Sequence, residues 1–248
     1  MLSITCKNTS PQFIDFTETV LLKKSQVIIV QINAADFTEK IKEMNLYLTA
    51  TEQQTIARYK EMADRNLKTI SKFILKQLLA KFYQIPIAEI LIEVNDQGKP
   101  FYNSTNAAPI YFNVADSADT ILIAFSYEPI GIDIEKIENN FQYDDIMNAH
   151  FSTGEIIGLQ NADNKLECFY RIWTRKEAIL KADGAGLINN LPALSVADGV
   201  NMIVENPISL DGEWHINSAR LDNSISFSLA FNDQITQLSF FNYLTLTI

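Results

Sequence analysis

The chain has 248 residues, 47 % hydrophobic and 20 % charged, with eight Gly and seven Pro; this excludes collagenous and disordered chains and suits one or two domains with a sizeable core. Its formal net charge of −10 argues against a general nucleic-acid or anionic-membrane binder, for which a basic excess is normal. Two distant cysteines, Cys6 and Cys168, lack metal-ligand spacing, suit a reducing compartment and exclude a disulfide framework.

The opening Met1-Leu-Ser-Ile-Thr-Cys-Lys-Asn has no basic segment followed by a long apolar one, and Val27–Val30 and Ile121–Phe125 are too short to span a bilayer. A soluble cytoplasmic protein is the expectation. Gln26–Asn33 reads as a strand, and the cap residues Thr49-Ala-Thr-Glu52 predict a helix just after them. A longer helix is predicted from Asp64 to Tyr83, with Leu67, Ile70, Ile74 and Leu78 as its apolar stripe and Arg65, Lys68, Lys72 and Lys76 on the opposite side. That basic side is either a solvated face or a place where an anion or an acidic partner is met. Ile90–Val94 then reads as a strand and Asn95-Asp-Gln-Gly98 as a turn. Gly98-Lys99-Pro100, taken alone, is another turn.

Thr120 to Lys136 predicts strand, turn and strand. On its second strand Ile132 and Ile134 face one side while Asp133 and Glu135 stand roughly 7 Å apart on the other. Two readings are open: a solvated edge strand, or half of a site for a hard divalent cation, which takes carboxylate oxygens and keeps water or phosphate oxygens in its remaining positions. Ser152-Thr-Gly-Glu155 has capping-box spacing, so Glu155 reads as a cap. In Phe169–Lys181, helical periodicity gathers Phe169, Ile172, Trp173, Ile179 and Leu180 on one arc and sets Arg171, Thr174, Arg175 and Ala178 on the opposite, wet side. Lys176 falls inside the apolar arc, with Glu177 and Lys181 along its edge. An exposed Glu-to-Lys pair adds only about 0.2–0.5 kcal/mol; charges on a buried side need a metal, a phosphate or each other as partners. The helix stops at Gly184, and Asn201–Val204, Glu213–Leu221, Ile225–Phe231 and Gln237–Leu246 read as antiparallel strands. The two histidines, His150 and His215, sit near no convincing nucleophile pattern, so both read as structural and no hydrolase triad is expected.

Gly131-Ile-Asp-Ile-Glu135, followed by Trp173-Thr-Arg-Lys-Glu-Ala-Ile-Leu-Lys181 and Gly184-Ala-Gly-Leu187, resembles the paired signature of the 4′-phosphopantetheinyl transferases. The length is similar to the surfactin-synthetase-activating type, in which one chain carries two similar halves, so a monomer is expected. The resemblance implies an α+β fold: a pseudo-dimer of halves, 1–127 and 128–248, each with helices packed on a small, mainly antiparallel sheet. It implies transfer of 4′-phosphopantetheine from coenzyme A to a serine of an acyl or peptidyl carrier protein. By the same resemblance Asp133, Glu135 and Glu177 would hold Mg²⁺, Glu177, Lys181 and Asp133 would be catalytic, and Lys99, Asn113, Ser117, Lys176 and Lys181 would contact the coenzyme.

Two departures stand out. Where the family carries basic residues ahead of an Arg-aromatic pair this chain has Gln53 and Gln54, and in Phe112-Asn-Val-Ala-Asp-Ser117 the family's Ser-His is Ala115-Asp116. An aspartate repels phosphate where a histidine shares a proton with it. These departures motivate an alternative, a degenerate module that holds coenzyme A or a carrier domain without catalysis.

Overall fold

Alternating β-branched residues build the strands of this chain and stripes recurring every three to four residues build its helices. The computed structural model describes residues 1–104, 107–184, 186 and 188–244. Strands β1 (Leu2–Asn8), β2 (Phe13–Asp15) and β3 (Gln26–Asn33) precede helices α1 (Ile41–Asn45), α2 (Ala50–Ala57) and α3 (Met62–Tyr83). A short hairpin of β4 (Glu93–Val94) and β5 (Pro100–Phe101) leads into β6 (Tyr111–Ser117), β7 (Thr120–Ser126) and β8 (Ile130–Lys136). Helices α4 (Asp144–His150), α5 (Thr153–Gln160) and α6 (Lys165–Asp183) follow, then β9 (Gly199–Ile203), β10 (Gly212–Leu221), β11 (Ile225–Asn232) and β12 (Gln237–Asn242).

Two five-stranded sheets form, in the orders β2-β12-β3-β7-β6 and β8-β11-β10-β1-β9. Their inner faces meet in one apolar layer, with Val27, Ile29, Leu122 and Ala124 of the first against Ile132, Ile134, Phe227 and Leu229 of the second. On the outer side of the first sheet, α3 packs Ile70, Phe73, Ile74 and Leu78 over Ile28, Val30 and Phe125. On the outer side of the second, α6 sets Phe169, Ile172, Ile179 and Leu180 against a core that includes Ile4, Ile216 and Ala230. The α+β expectation of helices packed on small sheets is met as four layers: helix, sheet, sheet, helix; the second sheet is mainly antiparallel as expected, while the first divides evenly, parallel across β2-β12-β3 and antiparallel across β3-β7-β6. Among the described residues no helix is long and apolar enough to cross a membrane.

Strand membership does not follow a cut at 127/128. β1 runs parallel to β10 in the second sheet, and β12 runs parallel to β3 in the first. Each terminal strand thus covers an edge that the opposite half would otherwise leave open. Such pairing is set by partners some two hundred residues away, which local alternation does not register.

Local signals fared better. Thr49 and Ser152 each head a full capping box, with Glu52 and Glu155 reaching back to the cap backbone. Asn95 Oδ1 accepts from the backbone of Gln97 and Lys99 and Gly98 adopts φ +81°, giving the predicted turn. Gly184 closes α6 at φ +80°. Of Ile90–Val94, only Glu93–Val94 pairs as a strand, because Ile90 follows a turn of 3₁₀ helix and is fully buried. The last strand ends at Asn242; Thr245 and Leu246 lie outside the described residues, as do Ala185 and Leu187. On α3, Lys76 leaves the expected wet face: it is buried, donating to Tyr47 O at 2.8 Å and pairing with Glu52 at 3.4 Å.

Candidate active site

The site begins with a missing side chain. A Cβ on Gly131 would lie 2.0 Å from Ala178 O and 2.4 Å from Ala182 N, so only glycine lets the backbones of β8 and α6 come this close. That approach brings Asp133 and Glu135, on the α6 side of β8, beside Glu177 and Lys181.

Asp133 is 5 % exposed, and its Oδ1 accepts from Lys181 Nζ at 2.6 Å. Its Oδ2 is buried with no hydrogen-bond partner. Burial raises the Asp133 carboxyl above its ordinary range, and Lys181 holds it back only in part. Glu135 is pushed up to about 7, first by burial and then by the charge of Asp133, with a smaller push from Glu177. Glu177 is raised by burial and again by Asp133. Three carboxyls thus oppose one another's ionisation, with Lys181 as the cation on Asp133. Among the described residues, no three His, Cys, Asp or Glu side chains stand together as a ready-made metal cage. The donor chemistry nevertheless fits a hard divalent cation: carboxylate oxygens only, one of them buried and unpartnered, in a setting that favours added positive charge.

Glu177 and Lys181 open onto a cleft of about 300 Å³ shared with Lys99, Pro100, Asn113 and Gly186. Lys99 donates to Ala182 O at 2.8 Å near the end of α6, and burial pushes its ammonium down to about 8 against the opposing pull of Asp183. Asn113 lines the same cleft, but its Oδ1 is spent on the backbone N–H of Ile132 at 2.8 Å, tying β6 to β8 across the seam between the sheets. Ser117 Oγ accepts from Lys136 N at 2.9 Å and donates to Glu135 Oε2 at 3.5 Å, holding the carboxylate strand. On the other flank of Glu135, Phe141, Phe169, Tyr170 and Trp173 line a more aromatic groove.

Lys176, expected at the coenzyme, is placed elsewhere. It is fully buried, 3.0 Å from Glu155 Oε2, and donates to Leu194 O at 2.7 Å and Leu191 O at 3.2 Å. Glu155 also accepts from Val196 N at 2.7 Å, so cap and lysine together pin the 191–196 loop to α5 and α6. The wet face expected for α6 is also absent: Thr174, Arg175 and Ala178 are buried against the second sheet, with Thr174 bonded to Ser228 and Arg175 to Ser218. Arg175, expected on the wet side of the helix, is 1 % exposed and pairs with Asp198 at 2.6 Å. No local signal marked it, because its partners lie on β10 and beyond the helix. The role of Gly131 could have been read from its place beside two strand isoleucines, where β propensity disfavours glycine.

Asp116 does not stand bare. Its Oδ1 lies 2.6 Å from Lys68 Nζ, an ion pair between β6 and α3.

The fold and the cleft define a two-half α+β protein with carboxylates and lysines converging at the seam between its sheets. Residues 129–230 match the 4′-phosphopantetheinyl transferase superfamily, and residues 36–128 match the 4′-phosphopantetheinyl transferase N-terminal family. The chain belongs to the 4′-phosphopantetheinyl transferase superfamily. It is 32 % identical over 139 residues to the 4′-phosphopantetheinyl transferase gsp of Aneurinibacillus migulanus, covering 55 % of this chain and 56 % of that one. It is 26 % identical over 152 residues to the 4′-phosphopantetheinyl transferase Sfp of Bacillus subtilis, covering 60 % of this chain and 66 % of the relative. It is 29 % identical over 206 residues to the L-aminoadipate-semialdehyde dehydrogenase-phosphopantetheinyl transferase of Xenopus laevis, covering 73 % and 67 %. The matches to the two bacterial relatives therefore span between half and two thirds of those proteins' lengths.

Proposed function

We propose that this chain transfers 4′-phosphopantetheine from coenzyme A to a serine hydroxyl of an acyl or peptidyl carrier protein and releases adenosine 3′,5′-bisphosphate. What supports the reading is the electrostatic coupling of Asp133 with Glu135 and Glu177, all three carboxyls raised by burial beside Lys181, and the opening of Glu177, Lys181 and Lys99 onto one cleft. Two lysines together with three carboxyls suit a diphosphate brought in with a divalent cation, and neither group alone would suit it.

Lys99 and Lys181 bind diphosphate oxygens and orient the β-phosphorus toward the incoming hydroxyl. Glu177, which opens onto the same cleft and whose carboxyl is held above its ordinary range by burial and by Asp133, takes the serine proton. The serine oxygen forms its bond to the β-phosphorus as the bond to the bridging oxygen breaks, and the electron pair leaves with adenosine 3′,5′-bisphosphate. Asp133, Glu135 and Glu177 would hold Mg²⁺, which supplies neutralisation of the charge growing on the leaving phosphate. Ser117 and Asn113 keep the carboxylate strand in place.

The test is mass spectrometry of apo-carrier proteins incubated with the chain, coenzyme A and Mg²⁺, with an EDTA control. The reading requires a carrier mass increased by one phosphopantetheine and abolished by EDTA. Coenzyme binding without any carrier modification across fatty-acid, polyketide and peptide carriers would instead favour a non-catalytic module.

A further inference from the structure

The cleft holding Lys99 and Glu177 does not end at its own walls. Pro100 and Val114 also line a second lobe of about 230 Å³, completed by Tyr59, Lys68, Lys72 and Asp116. Its floor is apolar, from Ile56, Leu75 and Ile92. Both lysines of this lobe are already answered by acids. Lys68 Nζ is 2.6 Å from Asp116 and Lys72 Nζ is 3.8 Å from Glu52, which also pairs with the buried Lys76. Arg65 turns its guanidinium to the carbonyls of Tyr59 and Lys60, and neither it nor the exposed Arg58 lines the lobe.

A coenzyme whose diphosphate sits at Lys99 and Lys181 has two ends to place. The aromatic groove past Glu135, lined by Phe141, Phe169, Tyr170 and Trp173, suits the uncharged pantetheine arm. The lobe with Tyr59 then receives the nucleoside, whose base can lie on an aromatic and apolar floor. A phosphomonoester on its ribose would arrive as a dianion beside Asp116 and Glu52, and would meet in Lys68 a cation whose charge Asp116 already offsets.

Resting on the transfer reading above, we propose that this lobe takes the nucleoside without rewarding its 3′-phosphate, so that 3′-dephospho-coenzyme A serves this chain about as well as coenzyme A. Asp116 is the specificity-determining residue, because it neutralises Lys68, one of the two lysines that line the lobe.

Calorimetric titration of the whole chain with each coenzyme in Mg²⁺ reads the ratio of affinities whether or not transfer occurs; mass spectrometry of an apo-carrier reads transfer separately. The expected result is a ratio within about threefold, rising in favour of coenzyme A by about tenfold in Asp116→Asn, which frees Lys68, a change equivalent to about 1.4 kcal/mol. A wild-type preference for coenzyme A beyond about threefold, or an Asp116→Asn ratio that does not move, overturns the proposal. Equal binding of both coenzymes without carrier modification upholds this inference and sinks the transferase reading.

Discussion

Lys181 Nζ lies 2.6 Å from Asp133 Oδ1 while the second oxygen of the same carboxylate is buried without a hydrogen-bond partner. A buried acceptor left unmet costs about 1–3 kcal/mol, so half of this carboxylate is held in readiness for something outside the chain. Replacing Asp133 by Asn keeps the shape and removes the charge that both Lys181 and an added cation would use. Transfer to an apo-carrier should fall by about 10³-fold, equivalent to about 4 kcal/mol of barrier. The thermal midpoint should stay near that of the parent, since Lys181 is partly exposed and finds water. Near-normal carrier modification by this variant would remove Asp133 from the chemistry.

Gly131 governs whether these groups meet at all. With a methyl group placed 2.0 Å from Ala178 O, Gly131→Ala has to push α6 off β8, because the obstructing atoms are backbone and cannot rotate away. A destabilisation of about 1–3 kcal/mol or more is expected in urea unfolding, with transfer lost even in the fraction that remains folded. A variant with unchanged midpoint and activity would show that the close approach is dispensable.

Much of this arrangement was legible in the chain itself, and the failures share one cause. Ile132 and Ile134 alternating with Asp133 and Glu135 placed the carboxylates on one side of a strand, and the Thr49 and Ser152 caps fixed two helix starts, because these signals act within a few residues. The expected wet face of α6 was wrong because periodicity assumes that one side of a helix meets water. Here the side bearing Thr174 and Arg175 meets the second sheet through Ser228 and Ser218, and the 191–196 loop covers another side. Partners that distant cannot be seen from the helix alone. The same holds for Asp116, whose charge is answered by Lys68 of α3, far from it in sequence, and for β1 and β12, whose sheets are chosen by the far end of the chain.

Lys176 offers a clean separation of a structural lysine from a ligand-binding one. It is sealed between Glu155 and the carbonyls of Leu191 and Leu194. Lys176→Met leaves Glu155 buried and charged without its counter-ion, which should cost about 3–5 kcal/mol in unfolding. Adding Glu155→Gln should recover part of that loss, since the uncompensated charge disappears while an amide oxygen remains for Val196 N. Calorimetry at a temperature where the double variant is folded should return the parent's coenzyme affinity. A large fall in affinity with stability intact would return Lys176 to the binding site.

The carboxyl cluster also writes a pH signature into the stability of the metal-free chain. Glu135 has an ordinary value of 4.5 and is pushed up to about 7 in the fold, so between those values the native state holds a proton that the unfolded chain has released. Stability from this group is therefore greatest below about 4.5, declines as pH rises through the interval and levels off above about 7; Asp133 and Glu177 are shifted in the same direction. In EDTA, the melting temperature of the parent should fall from pH 5 to pH 7.5 more steeply than that of Glu135→Gln, which has nothing to ionise at this position. Added Mg²⁺ should flatten the parent's slope and release protons on binding, because its ligands have to deprotonate. Parallel slopes for the two proteins in EDTA would mean that Glu135 titrates as it does in the unfolded chain, and that the three carboxyls do not share one field.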